Sequence, residues 1–124
     1  MTSYKTRFSL SQRQEEANRV LKKYPDRIPV IVESNTKELV IDKNKYLVPA
    51  EITIGEFIYV LRKRIKLGPE QGLYIFLNNN IIPNTSTFIS RIYANHKEKC
   101  GFLFLVITKE NTFGKIKNST ILSN

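Results

Sequence analysis

Few residues in this chain have side chains or positions suited to chemistry. His96 and Cys100 are its one histidine and one cysteine. A cysteine–histidine pair acting as nucleophile and base needs a third group to orient the base and a pocket to hold a substrate, and neither is evident around these two. One histidine and one cysteine also cannot build a zinc site, and no glycine-rich phosphate-cradling loop occurs. The chain therefore reads as a non-enzyme with no metal and no cofactor, and Cys100 as a small residue opening the last strand. Gly114 is the remaining candidate. It is either a turn before a frayed end or a reactive terminus. A glycine made C-terminal by cleavage carries an unhindered carboxylate, and without a Cβ it can enter a narrow active site.

The segment that would deliver Gly114 is residues 101–114, GFLFLVITKENTFG. Six consecutive apolar residues, Phe102 to Ile107, follow a glycine and include Val106 and Ile107, which predicts a strand buried on both faces. The polar stretch from Thr108 to Thr112 is expected to leave the sheet and carry Phe113 and Gly114 into solvent.

At 124 residues, 41% hydrophobic and 25% charged, the chain is one domain. By size scaling it buries roughly two-thirds of its unfolded surface. No apolar run reaches the roughly 20 residues needed to span a bilayer, and the N-terminus lacks the apolar stretch of a signal peptide. A single cysteine fits a reducing compartment, so a cytoplasmic location is expected.

The formal charge is +9. Residues 1–27 hold seven basic side chains against Glu15, Glu16 and Asp26, and Arg62, Lys63, Arg64 and Lys66 form a second cluster. Such surfaces attract nucleic acid, anionic headgroups or acidic peptides. No groove-reading helix or set of stacking aromatics accompanies them, so no specific nucleic acid is expected, and a basic nucleic-acid-binding domain is the weaker rival.

Along the chain, Ala17, Val20, Leu21 and Tyr24 form a narrow stripe on a charged helix, stopped by Pro25. Ser-x-x-Gln occurs at Ser9 and at Ser11, leaving two candidate caps. A short turn over residues 3–8 precedes it. IPVIVE, residues 28–33, predicts a strand with Ile28, Val30 and Val32 on one face and Pro29 and Ile31 on the other, an unusually apolar outer face. Pro29 cannot donate to a ladder and belongs at the strand's start or opposite a gap. KYLVPA, residues 45–50, predicts an edge strand in which Tyr46 and Val48 alternate with Lys45 and Leu47. Residues 53–67 form a helix capped by Thr53-x-x-Glu56, with Ile52 and Phe57 as its hydrophobic staple. A strand over residues 73–77 and a short helix over 87–93 follow. In that helix Phe88, Ile89, Ile92 and Tyr93 are expected to turn inward, with His96 in a loop beyond. This order suggests an α+β roll with the first and last strands parallel at the centre.

Four stretches carry a closer likeness. KKYPDRIPVIVE (22–33), DKNKYLVPAEITIGEF (42–57), RKRI (62–65) and GFLFLVITKENTFG (101–114) resemble the GABARAP-type autophagy ubiquitin-like modifiers, over essentially residues 4–114. The resemblance implies an α+β ubiquitin-like β-grasp roll with two additional N-terminal helices. Residues 1–27 would be the helical extension, 28–114 the ubiquitin-like domain and 115–124 a propeptide.

It also implies a function. A processing and delipidating cysteine protease would recognise Thr112 and Phe113 and expose Gly114. Ubiquitin-like activating and conjugating enzymes would then join Gly114 to phosphatidylethanolamine on the autophagosome membrane, where cargo receptors and adaptors bind through short aromatic-x-x-aliphatic motifs. In that family the motif adds as a strand to the edge strand and fills two pockets. Pocket one would be Val20, Pro29, Ile31, Lys45, Leu47 and Phe102. Pocket two would be Tyr46, Val48, Pro49, Ile52, Phe57, Val60 and Leu61, with Arg27, Lys43 and Arg64 meeting acidic ligand residues. For Leu61, Val60 and Phe102 ordinary core is the competing assignment, whereas strand alternation alone points Ile31 and Leu47 away from the core. A ubiquitin-like peptide-binding adaptor that is never conjugated is the nearest alternative, and it has no use for Gly114.

Overall fold

The structure, a computed structural model, describes residues 3–35, 39, 41–65, 67–68, 71–77 and 81–109. Its elements are α1 (Tyr4–Arg7), α2 (Leu10–Lys23), β1 (Arg27–Ser34), β2 (Lys45–Pro49), α3 (Ile54–Ile65), β3 (Leu73–Leu77), α4 (Ile89–His96) and β4 (Leu103–Lys109). The strands form one sheet in the order β2-β1-β4-β3. The central pair, β1 and β4, is parallel, with Val30 opposite Leu103 and Ser34 opposite Ile107, and both flanking pairs are antiparallel.

Local chemistry sets most boundaries. Of the two candidate caps, Ser9 starts α2: its hydroxyl accepts the Gln12 N–H at 3.2 Å and its own N–H reaches Gln12 Oε1 at 2.8 Å. Thr53 and Glu56 form the same reciprocal pair at the start of α3, at 2.8 and 3.1 Å. Pro29 sits where its missing donor costs nothing. Val32 donates to Asn44 on the β2 side, so alternate residue Pro29 turns its nitrogen toward β4, whose pairing begins only at Val30.

The strand alternation of β1 separates two apolar cores. Ile28, Val30 and Val32 face α3 and α4 in the main core, with Tyr46, Val48, Ile54, Phe57, Leu61, Leu103 and Leu105. Ile31 faces the other side, where Tyr4, Ala17, Cys100, Phe102 and Phe104 close a second, smaller core. The apolar outer face read from the sequence is therefore largely covered by the chain's own N-terminal helices. The Tyr4 ring stands edge-on to Phe102 at 5.7 Å, and its backbone N–H donates to Glu33 at 2.8 Å. Lys5 adds an ion pair to Glu98 at 2.6 Å. Gly101 has φ +100° and an added Cβ there would lie 3.1 Å from Ala17 Cβ, so glycine is what lets α2 approach the start of β4.

Four expectations need correction. Thr108 and Lys109 stay in the sheet, because β3 continues opposite them, pairing Tyr74 with Thr108 and Leu73 with Lys109. Helix α3 ends at Ile65 rather than at residue 67. His96 is the last residue of α4, not part of a loop. Phe88 does not turn inward. It is the N-cap of α4, 52% exposed, with no side-chain bond to the helix, because its backbone is held instead in a bridge to Thr53 that directs Ile89 into the core. A cap position normally holds Asp, Asn, Ser or Thr. Phe88→Asp is expected to raise the unfolding free energy by about 1 kcal/mol through the restored cap and the favourable charge at the helix start. Urea denaturation measures this, and a loss of stability would show that the half-exposed ring contributes more by packing than a cap supplies.

Candidate functional site

The candidate site is built on the β2 edge. Since Val32 donates toward β2, the like-oriented Val30 and Ile28 exchange hydrogen bonds with their partners Tyr46 and Val48. Lys45 and Leu47 therefore turn their backbone N–H and C=O groups outward, two residues apart, the spacing an added strand needs. Pro49 has no N–H to offer and closes the row. The Arg27 guanidinium reaches the outward Leu47 carbonyl at 3.4 Å.

The first predicted pocket separates into floor and rim. Ile31 and Phe102 are fully buried, and Val20 and Pro29 are buried as well, whereas Lys45 and Leu47 are partly exposed. Lys45 Nζ donates to Glu16 of α2 at 2.7 Å, and Arg19 donates to the other oxygen of the same carboxylate. Those hydrogen bonds, Lys45's first, hold the Glu16 carboxyl below its ordinary range against the opposing effect of burial. An acidic ligand approaching Lys45 must compete with Glu16. Glu16 was not singled out in the sequence, although it stands one helical turn before Val20 and so on the same face.

A depressed folded-state value means that Glu16 contributes stability above its unfolded value, lost as pH falls through the folded one. The pair is partly exposed, so Glu16→Gln is expected to cost only about 0.2–1 kcal/mol at pH 7. The cost should vanish as the pH is lowered through the acidic range. Thermal unfolding of both chains across that range checks this; a cost that stayed constant with pH would remove the ion pair as its source.

The second predicted pocket separates in the same way. Tyr46, Val48, Phe57 and Leu61 belong to the main core, Ile52 is half-buried, and Pro49 and Val60 are exposed. Tyr46 stands edge-on to Phe57 at 5.6 Å. Lys43 and Arg64 lie over the Tyr46 ring at 5.2 and 6.0 Å, and Arg64 approaches Asp42 at 3.6 Å. Burial pushes the Tyr46 hydroxyl up from its ordinary value. Arg27, Lys43 and Arg64, the three cations predicted to meet acidic residues, are all exposed along the β2 side.

Cys100 is buried in the outer core and His96 ends α4. Thr112, Phe113, Gly114 and the segment 115–124 lie outside the described residues, which reach Lys109 at the end of β4. Among the described residues no helix is long and apolar enough to cross a membrane.

With a mixed four-stranded sheet, two covering N-terminal helices and an open β2 edge established, comparison with known proteins is decisive. The family model described as "Autophagy protein Atg8 ubiquitin like" matches residues 12–114. The chain belongs to the Atg8 family. It is 53% identical to Autophagy-related protein 8d of Arabidopsis thaliana over 116 residues, covering 92% of this chain and 96% of that protein. Autophagy-related protein 8 of Schizosaccharomyces pombe is 48% identical over 117 residues, covering 93% and 96%. Among solved structures, Trypanosoma brucei ATG8 superposes on this Atg8 chain with a TM-score of 0.82 at 34% identity, covering 89% of this chain and 96% of that one. Plasmodium falciparum Atg8, solved with a P. falciparum Atg3 peptide, gives a TM-score of 0.78 at 34% identity, covering 87% and 96%. The ubiquitin-like fold expected from the sequence is thus shown, and with it an autophagy ubiquitin-like protein of the Atg8 family.

Proposed function

We propose that this Atg8-family chain is cut after Gly114 and joined through that glycine to phosphatidylethanolamine on autophagosome membranes. One observation carries the reading: the family match ends at residue 114, a glycine, and leaves 115–124 beyond it. Residues 28–114 are then the ubiquitin-like domain, 1–27 its helical extension and 115–124 the removed propeptide. Thr112 and Phe113 are the residues the processing cysteine protease reads. A two-chain lipid fits the chemistry, because one acyl chain gives only marginal binding and each buried methylene adds about 0.8 kcal/mol. The P. falciparum relative solved with an Atg3 peptide supports a conjugating enzyme as partner.

On the membrane the domain recruits cargo receptors and adaptors. Their aromatic-x-x-aliphatic segments add to the outward groups of Lys45 and Leu47, and acidic flanks meet Arg27, Lys43 and Arg64. Intact mass before and after incubation with the family's processing protease tests the terminus. The wild type should lose the mass of residues 115–124 while Gly114→Ala does not. An unchanged wild-type mass, with the protease active on a known substrate, would leave a non-conjugated peptide-binding domain.

A further inference from the structure

The β2 edge is not bare in the free chain. The Leu47 carbonyl, one of the outward groups that an added strand would use, already accepts a hydrogen bond from Arg27 Nη1 at 3.4 Å. Arg27 opens β1 opposite Pro49, the residue that closes the outward row. Its backbone is fixed there, because its N–H donates to the Tyr24 carbonyl at 3.1 Å. From that anchor the long side chain crosses the edge and covers the last carbonyl before Pro49. Charged side chains laid over an edge strand guard it against unwanted strand pairing.

The cations along this edge differ in what holds them. Lys45 is paired with Glu16 at 2.7 Å, and Arg64 approaches Asp42 at 3.6 Å. Among the described residues no carboxylate pairs with Arg27, whose guanidinium has the Leu47 carbonyl as its acceptor. That bond is longer than the usual range of about 2.7–3.2 Å, and Arg27 is exposed, so an incoming N–H can displace it. A strand that takes the Leu47 oxygen sets the guanidinium free. A carboxylate on that strand's flank then receives it in a charge-assisted, two-pronged pair, stronger than the bond it replaces. A strand with no carboxylate there must break the Arg27 bond and replace it with nothing.

We infer that Arg27 is a specificity-determining residue of the β2 edge, capping the Leu47 carbonyl in the free chain and favouring strands that bring a carboxylate to the Pro49 end. The selection rests on the proposed peptide-binding edge; the cap does not. It works against acid-free strands as well as for acidic ones, whereas charge attraction alone would leave an acid-free strand indifferent to Arg27.

Three aromatic-x-x-aliphatic peptides test this: one with acidic residues before the motif, one with acidic residues after it, and one with glutamine at all those positions. Each is titrated calorimetrically into the wild type and Arg27→Ala. Because Arg27 is exposed, its truncation leaves both cores intact. The substitution should weaken the acidic peptide whose acids reach the Pro49 end several-fold, and should tighten the glutamine peptide. In the free protein the carbonyl-carbon NMR resonance of Leu47 should shift on the same substitution. A glutamine peptide that binds both chains equally, or the variant more weakly, overturns the selection and leaves Arg27 a plain electrostatic contact. An unmoved Leu47 resonance overturns the cap. If neither chain binds any of the peptides while the resonance shifts, the peptide-binding reading fails, the selection falls with it, and the cap stands.

Discussion

Phe102→Ala is expected to lower the unfolding free energy by about 3–5 kcal/mol, the range for removing a buried aromatic side chain. Phe102 is fully buried at the centre of the outer core, touched by Tyr4 and Phe104 rings at 5.7 and 6.5 Å. Its removal leaves a cavity under α1 and α2, which are otherwise tied to the sheet by bonds such as Tyr4 to Glu33 and Lys5 to Glu98. Hydrogen exchange should therefore accelerate first in α1 and α2 and last in the β1–β4 pair. Binding of a peptide at the proposed site would weaken as well, since Phe102 packs in the outer core with Ile31, another residue of the first predicted pocket, so stability must be measured beside affinity. Full stability with lost binding would return Phe102 to an open pocket and overturn its place in the core.

Leu61→Ala is the second large effect, with an expected loss of about 2–5 kcal/mol. Leu61 is fully buried in the main core between α3 and the sheet. Its neighbour Val60 is 44% exposed, and Leu47 is partly exposed on the rim of the other pocket. Leu47→Ala should weaken an aromatic-x-x-aliphatic peptide by about 1–3 kcal/mol, as for an interface anchor, with the fold retained. Urea unfolding and titration calorimetry on the two variants separate the roles. Global unfolding of Leu47→Ala would show that the wrong face of β2 has been assigned to ligand, and a stable Leu61→Ala that no longer binds peptide would reassign Leu61 to the pocket.

These contrasts follow from what strand and helix periodicity can and cannot encode. Alternation along IPVIVE and KYLV placed Ile31 and Leu47 on the face opposite Val30 and Tyr46, and the register of β1 against β2 agrees. The capping pair Thr53–Glu56, the edge position of β2 and the parallel central strands were likewise readable, because each depends on near neighbours in sequence or on a simple pairing order. Phe88 was misplaced for the opposite reason. Its helical spacing suggested an inward side chain, but a bridge to Thr53, 35 positions earlier, fixes its backbone before the helix begins. Thr108 looked like the start of a tail because it is polar, and β3 keeps it in the ladder.

By itself the sequence determined the β-grasp roll, the two-faced first strand and the family likeness, since these rest on periodicity, capping residues and contiguous motifs, and it offered Gly114 as a candidate terminus. Only the tertiary structure decided how far the apolar outer face is available. Tyr4, in a four-residue helix with no periodicity to announce it, fills that face from 27 positions before Ile31. Glu16 holds Lys45 from the next helix. Burial is shared between segments distant in the chain, so a residue's own neighbours reveal which way it points but not what covers it.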